Sequence, residues 1–124
     1  MGLLLRLRRC AGSKDISTGE LLSRCRTMEV LEEKHDGTLL IPYNKLGVDA
    51  AFCMGYVLGI AQDAATHSQI CLYPTVTVKQ LALVFNRYAN AHPEFHHVGA
   101  YWGVITAIVP VFRCVQTPAG VNAK

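Results

Sequence analysis

Ser17-Thr18-Gly19-Glu20-Leu21-Leu22-Ser23-Arg24-Cys25-Arg26-Thr27-Met28 is the stretch that decides the class of fold. Ser17 and Glu20 stand at capping-box spacing, so each side chain can satisfy a free backbone N–H at the start of a helix. Leu21, Leu22, Cys25, Met28 and Leu31 then recur on one face at helical period. The pattern predicts a helix over 18–34 that buries this face. His35-Asp36-Gly37 closes it, with glycine free to take the left-handed C-cap.

The same signals repeat downstream. After a loop over 38–47, in which Leu39, Leu40 and Ile41 precede Pro42, a second helix is predicted over 48–66. Ala51, Gly55 and Gly59 line one of its sides at four-residue spacing, which would let a neighbouring backbone come close. Thr77 and Gln80 form a second capping-box pair and open a third helix over 78–91, whose core face is Val78, Leu81, Ala82, Phe85 and Tyr88. Pro93 stops it. A fourth helix, over 95–113, is apolar nearly all round, so it is central or covered by a partner. Pro110 lies inside it and predicts a kink or an early end. The expected architecture is all-α: a small four-helix bundle, or four-to-five helices, with the aromatic residues Tyr56, Phe85, Tyr88, Tyr101, Trp102 and Phe112 mostly in the core.

Composition sets the limits. With 124 residues, 51% of them hydrophobic and 17% charged, the chain is one globular domain and no disordered coat. The net charge of +3 is unevenly spread. Arg6, Arg8, Arg9 and Lys14 lie in the first fourteen residues, which hold no acid, and residues 15–124 carry 8 basic against 9 acidic groups. A near-neutral domain gives no electrostatic ground for a nucleic-acid partner. Residues 1–15 read as a leader-like or disordered basic segment, 16–115 as the helical domain and 116–124 as a polar tail. The apolar run Gly2 to Leu5 is too short for a secretory core, which needs roughly 7–15 residues. No stretch makes a convincing membrane span: the longest uncharged one, over 95–112, includes His96, His97 and Pro110 and is near the lower length limit.

Five cysteines remain to be placed. Cys25, Cys53, Cys71 and Cys114 fall one per helix or helix junction, and Cys10 sits in the basic segment. Four cysteines allow three connectivities. Cys25–Cys53 with Cys71–Cys114 needs the least reach between antiparallel helices, whereas Cys53–Cys71 would require the intervening helix to be retraced in a handful of residues.

Leu21-Leu22-Ser23-Arg24-Cys25-Arg26, Cys53-Met54-Gly55-Tyr56-Val57-Leu58-Gly59 and Cys71-Leu72-Tyr73-Pro74 occur in that order. Val76-Thr77-Val78-Lys79-Gln80-Leu81, then Tyr88, His92-Pro93-Glu94 and Phe112-Arg113-Cys114 follow. Together they resemble the small helical immunity proteins of type VI secretion amidase effectors, the Tai and resistance-associated group. The resemblance covers about residues 19–114. It implies a periplasmic, disulfide-bonded, often dimeric binder that occludes the cleft of an NlpC/P60-like peptidoglycan amidase, and no enzyme. A blocker needs a rigid scaffold with a protruding loop. The loop over 90–98, with His92, Glu94, Phe95, His96 and His97, is the first candidate for effector contact, and 67–75 the second. The all-apolar fourth helix makes Trp102 and Val109 the expected homodimer or partner surface.

Other chemistries fit these residues less well. His92, His96 and His97 invite a metal, but Pro93 breaks the helical spacing and no further ligand completes a set, so ordinary loop histidines are the plainer reading and no cofactor is expected. A Cys/His nucleophile needs a thiolate, which bridged cysteines lack. Glu29, Glu32 and Glu33 read as a solvated helix face. A periplasmic structural or stress protein of the same fold, or a small thiol or metal enzyme, are the alternatives to the immunity reading.

Overall fold

The computed structural model describes residues 15–114; the basic segment up to Lys14, with Cys10, and the tail over 116–124 lie outside the described residues. Four α-helices form the body: α1 (Thr18–Cys25), α2 (Lys45–Thr66), α3 (Val78–Ala91) and α4 (Ala100–Ile108). Two short 3-10 turns, Arg26–Glu29 and Pro93–Phe95, follow α1 and α3. The described residues contain no named strand, only two isolated bridges, Ser17 with Gly99 and Glu33 with Leu39. The fold is the expected small all-α bundle.

Both capping boxes are present. The Ser17 hydroxyl accepts from the Glu20 N–H at 3.1 Å, and Glu20 accepts from the Ser17 N–H at 2.9 Å. Thr77 and Gln80 repeat the arrangement at 3.1 and 2.8 Å. The core is built from Leu21, Leu22, Met28, Val57, Leu81, Phe85, Val104 and Ile108, all essentially buried, with small residues between them. α4, apolar on every side, is packed against the other three helices, with Ala100, Val104, Ala107 and Ile108 buried. Phe85 is the aromatic fully in the core; Tyr56, Tyr88, Tyr101 and Phe112 are half-buried and Trp102 is exposed.

Two disulfides lock the bundle, Cys25–Cys53 and Cys71–Cys114. These are the pairs of least reach. The first ties the end of α1 to α2, where Leu22, Cys25, Cys53 and Val57 share the core. The second ties the connection before α3 to the end of the described chain, and the Cys71 N–H also donates to the Phe112 carbonyl at 2.9 Å.

Several boundaries differ from the periodicity. The first helix stops at Cys25, not near Lys34, because side chains from elsewhere take its carbonyls. The Asn86 amide donates to the Cys25 carbonyl at 2.9 Å and to Glu29 at 3.1 Å. The Thr27 hydroxyl takes the Arg24 carbonyl at 2.7 Å, and Lys79 takes that of Leu31 at 2.8 Å. Met28 and Leu31 are still buried as the pattern requires, but from a 3-10 turn and an irregular segment. Gly37 does not cap a helix. It has φ +89° at the tip of a tight hairpin, where the Lys34 N–H donates to Thr38 and the Gly37 N–H to Lys34. That is a three-residue turn with a glycine bulge. α2 begins three residues earlier than expected, because the Asn44 side chain accepts from the Gly47 N–H at 3.1 Å and caps it. The fourth helix begins at Ala100, not Phe95, and ends at Ile108, so Pro110 terminates it and does not kink it.

The small-residue side of α2 is corrected too. Ala51, Gly55 and Gly59 face outward, and nothing lies within 4 Å of a methyl built on Gly55 or Gly59. The core is met instead by Ala50, Cys53, Val57, Ala61 and Ala64, one step round the helix. The close backbone approach is elsewhere. A methyl on Gly103 would collide with the Thr18 hydroxyl and lie 2.9 Å from its Cγ2, so α1 and α4 cross on this glycine. Gly103→Ala is therefore expected to destabilise the protein by about 2 kcal/mol, as core overpacking typically does; urea unfolding measures it. Removing the Cys71–Cys114 bridge as the double serine variant should cost about 3–4 kcal/mol in the same assay, given the length of the loop it closes.

Candidate partner-binding surface

Cys25, Cys53, Cys71 and Cys114 are all bridged and offer no thiolate. No group of three or more His, Cys, Asp or Glu side chains among the described residues could hold a metal ion. His92, His96 and His97 do not converge: His92 bonds to Glu94, His96 turns inward and His97 is exposed. The features with geometric definition are surfaces.

The connection from α3 to α4 is a braced one. His96 Nε2 lies 2.8 Å from the Ala89 carbonyl, which can only accept, so that nitrogen carries the hydrogen and donates. The Gly19 N–H donates to the His96 carbonyl at 3.0 Å and the Thr18 N–H to the Val98 carbonyl at 2.7 Å. The Thr18 hydroxyl reinforces the second at 2.9 Å. Phe95 is half-buried beside Tyr88, with ring centroids 5.8 Å apart. His92 stacks on Tyr88 at 4.3 Å and pairs with the Glu94 carboxylate at 2.9 Å. Of the five loop residues singled out in the sequence, His96 and Phe95 thus hold the loop in place. Glu94, His97 and one side of His92 face solvent.

The second loop, 67–75, carries Ser68 in the left-handed region at φ 62° and an exposed Tyr73. On α4, Trp102 is 62% exposed and meets Tyr101 edge-on at 5.1 Å. Val109 does not share that exposure: it is half-buried against the core just beyond the helix end. Val111 is the exposed apolar neighbour. No helix of the described residues is long and apolar enough to cross a membrane.

One further surface received no functional reading from the sequence. The chain leaving the 34–38 hairpin runs through Leu40, Ile41, Pro42 and Tyr43 before Asn44 caps α2. Gly47 makes this path fit, because a methyl there would sit on the Pro42 carbonyl oxygen. The result is a shelf on which Leu40, Ile41, Tyr43 and Val48 are exposed, Tyr43 completely and Val48 at 64%. A hollow of about 700 Å³ is lined by Ile41, Pro42, Tyr43, Asn44, Gly47, Val48 and Ala51. A second hollow, of about 390 Å³, adjoins it through Ile41 and Pro42 and reaches Val30 and Glu32. The signal was in the sequence, in the apolar triplet before Pro42 and the tyrosine after it. It went unread because a loop carries no period from which to tell inward from outward.

At the outer end of α2, Asp49 accepts from Arg24 at 3.2 Å and from Lys45 at 3.1 Å, and Arg24 lies over the Phe52 ring at 4.5 Å. At the start of the described residues the Tyr56 hydroxyl donates to Asp15 at 2.9 Å; burial, then the bond and the charge of that carboxylate, push its pKa well above the ordinary tyrosine range and keep the phenol protonated. Glu94 is shifted the other way: the hydrogen bond from His92 first, then its own backbone N–H, hold its carboxyl below the usual glutamate value. A carboxyl depressed in the folded state favours folding above its unfolded pKa and loses that contribution as pH falls through the folded one. An NMR titration should find Glu94 below the ordinary value and returning towards it in His92→Ala.

Comparison with known proteins places the domain. The family model described as Rap1a immunity proteins matches residues 17–114, about four fifths of the chain. The match runs from the α1 cap to the last bridged cysteine. Neither the curated proteins nor the solved structures give a match.

Proposed function

Because the chain belongs to the Rap1a immunity proteins, we propose that it binds and occludes a type VI secretion effector that is an NlpC/P60-like peptidoglycan amidase. In that reading it protects the cell that makes both, acts in the periplasm, and is not itself an enzyme. Membership makes it an immunity protein directed against a type VI effector. The amidase target is the finer reading, supported by the ordered motifs of residues 19–114.

The observation that carries the proposal is the family match, which spans both disulfide-bonded pairs. A blocker gains from rigidity, since a surface already fixed in its bound shape has less ordering entropy to lose on association. Two bridges and a loop pinned by Thr18, Gly19 and His96 supply it. Disulfides persist in oxidising compartments, which supports a periplasmic place of action. In this reading His92, Glu94 and His97 present polar contacts to the effector while Phe95 and His96 hold them. Trp102, with the half-buried Val109 beyond the end of the same helix, forms the face of a homodimer, the natural cover for an exposed tryptophan.

The test purifies the product of the gene adjacent to the one for this chain and follows its action on peptidoglycan; a product that does not cleave peptidoglycan would itself count against the amidase assignment. One equivalent of the chain per equivalent of amidase is expected to abolish release of cleaved peptides. Full activity in the presence of excess chain would overturn the amidase assignment. Light scattering across a concentration series checks the dimer, and a strict monomer at high concentration would remove it.

A further inference from the structure

We propose that the groove along the outer side of α3 takes an extended segment of the effector, about six residues long, whose central carboxylate is bound by Arg87 with apolar side chains on either side. This rests on the reading of the chain as an effector-binding immunity protein, and deepens it by stating what the effector must present. The groove consists of two adjoining hollows, of about 440 and about 420 Å³. Val84 and Arg87 line both, so Arg87 stands where they meet. The first hollow opens at Thr75, in the 67–75 loop, and the second reaches His92, in the 90–98 loop. The two loops singled out in the sequence are therefore the two ends of one groove. α3 has 14 residues, or about 21 Å at about 1.5 Å each. An extended chain covers that length in about six residues at about 3.3 Å each.

Apolar groups form the walls on both sides of the arginine. Leu83 and Phe112 flank the first hollow, and Pro110 and Val111 flank the second. Val111 is 57% exposed. The first hollow is fixed in shape: the Cys71 N–H donates to the Phe112 carbonyl, and the Cys71–Cys114 bridge ties the segment before α3 to the chain beyond α4. A segment that enters such a groove meets walls already in place, so little ordering of the host opposes binding.

Charge selects the occupant. Arg87 is exposed and belongs to none of the ion pairs among the described residues. From His67 to Cys114 the charged side chains are Lys79, Arg87 and Arg113 against Glu94 alone, and Glu94 is taken by His92 at 2.9 Å. Arg113, beside Phe112 at the first hollow, is also outside those ion pairs. The elements behind α3 do not neutralise Arg87. Glu29 accepts from Asn86 on the buried side of the helix. The hairpin carboxylates lie at the opposite end of α3, where Gly37 comes against Thr77 and where Lys34 and Lys79 offset them. A guanidinium between apolar walls fits a carboxylate, which it can hold by two parallel hydrogen bonds. A second copy of this chain is the poorer occupant: an isologous contact through the groove would set Arg87 and Arg113 against their own copies with no free carboxylate to meet them.

The experiment measures binding of the full chain to the purified product of the adjacent gene by surface plasmon resonance. Arg87→Glu is expected to weaken binding at least about 30-fold and Arg87→Gln about tenfold, mostly through faster dissociation. Arg87→Lys should lose about fivefold, because an ammonium keeps the charge but not the paired hydrogen bonds. Val111→Asp, which sets an acid in the wall, should lose about tenfold. Gln62→Ala, on the exposed side of α2, serves as the control and should change nothing. Thermal midpoints are read alongside, and Arg87→Gln carries the test if Arg87→Glu melts lower. In the partner, one Asp→Arg or Glu→Arg variant is expected to restore binding to Arg87→Glu. Wild-type binding with the Arg87 variants within twofold of it would overturn the groove while leaving the immunity reading intact. Absence of wild-type binding would overturn both. Loss of binding in Arg87→Glu that no such partner variant restores would overturn the carboxylate assigned to the occupant.

Discussion

The crossing of α1 and α4 at Thr18 and Gly103 is the contact on which the rest of the bundle is arranged. Gly103 leaves room for the Thr18 side chain and for nothing larger. With the helices that close, the Thr18 N–H and hydroxyl both reach the Val98 carbonyl, and the Ala100 N–H reaches the Ile16 carbonyl at 2.8 Å. Backbone groups at the start of α1 and α4, which a helix end leaves without internal partners, thus satisfy each other. α4 needs this, since Gly99 has no side chain with which to cap it. The 90–98 connection is held by the same crossing, because its last carbonyls are the acceptors.

Once α1 and α4 are joined, the disulfides act on different parts of the molecule. Cys25–Cys53 fixes α2 against the end of α1, next to the Arg24–Asp49–Lys45 network and the Phe52 ring. Those exposed ion pairs add little energy on their own. The arrangement does orient the first turns of α2, and with them the Pro42–Gly47 contact that shapes the shelf. Apolar residues stay on the surface there because the interior is already full: Ala50 and Cys53 occupy the inward positions, so Val48 and Ala51 have only the outside left.

How much of this could be read from the residues depends on the distance over which each feature is decided. The capping boxes at Ser17–Glu20 and Thr77–Gln80 were legible because both partners lie within one turn. The disulfide pairing of least reach was legible as a matter of chain length. The end of α1 was not, since the Asn86 amide that takes the Cys25 carbonyl comes from 61 residues away. The orientation of Gly55 and Gly59 was not either: their spacing defines a side of a helix but not its neighbour. Among the loop residues, the roles of His96 as a brace and His97 as a free side chain were decided by the Ala89 carbonyl, which no local pattern marks. Trp102 and Val109 look equivalent as one apolar stripe, yet the helix ends between Ile108 and Val109, and only the first is exposed.

The two bridges also have an order. Cys25 pairs with Cys53 and Cys71 with Cys114, so the covalent rings lie one after the other along the chain and neither encloses the other. Each of the four cysteines is joined to the one that follows it or precedes it among them. A chain that emerges from synthesis N-terminus first presents these cysteines in the same sequence, and joining the first to the second and the third to the fourth yields the native set. Each ring therefore constrains its own stretch of chain, 25–53 and 71–114, and the shared core alone couples the two.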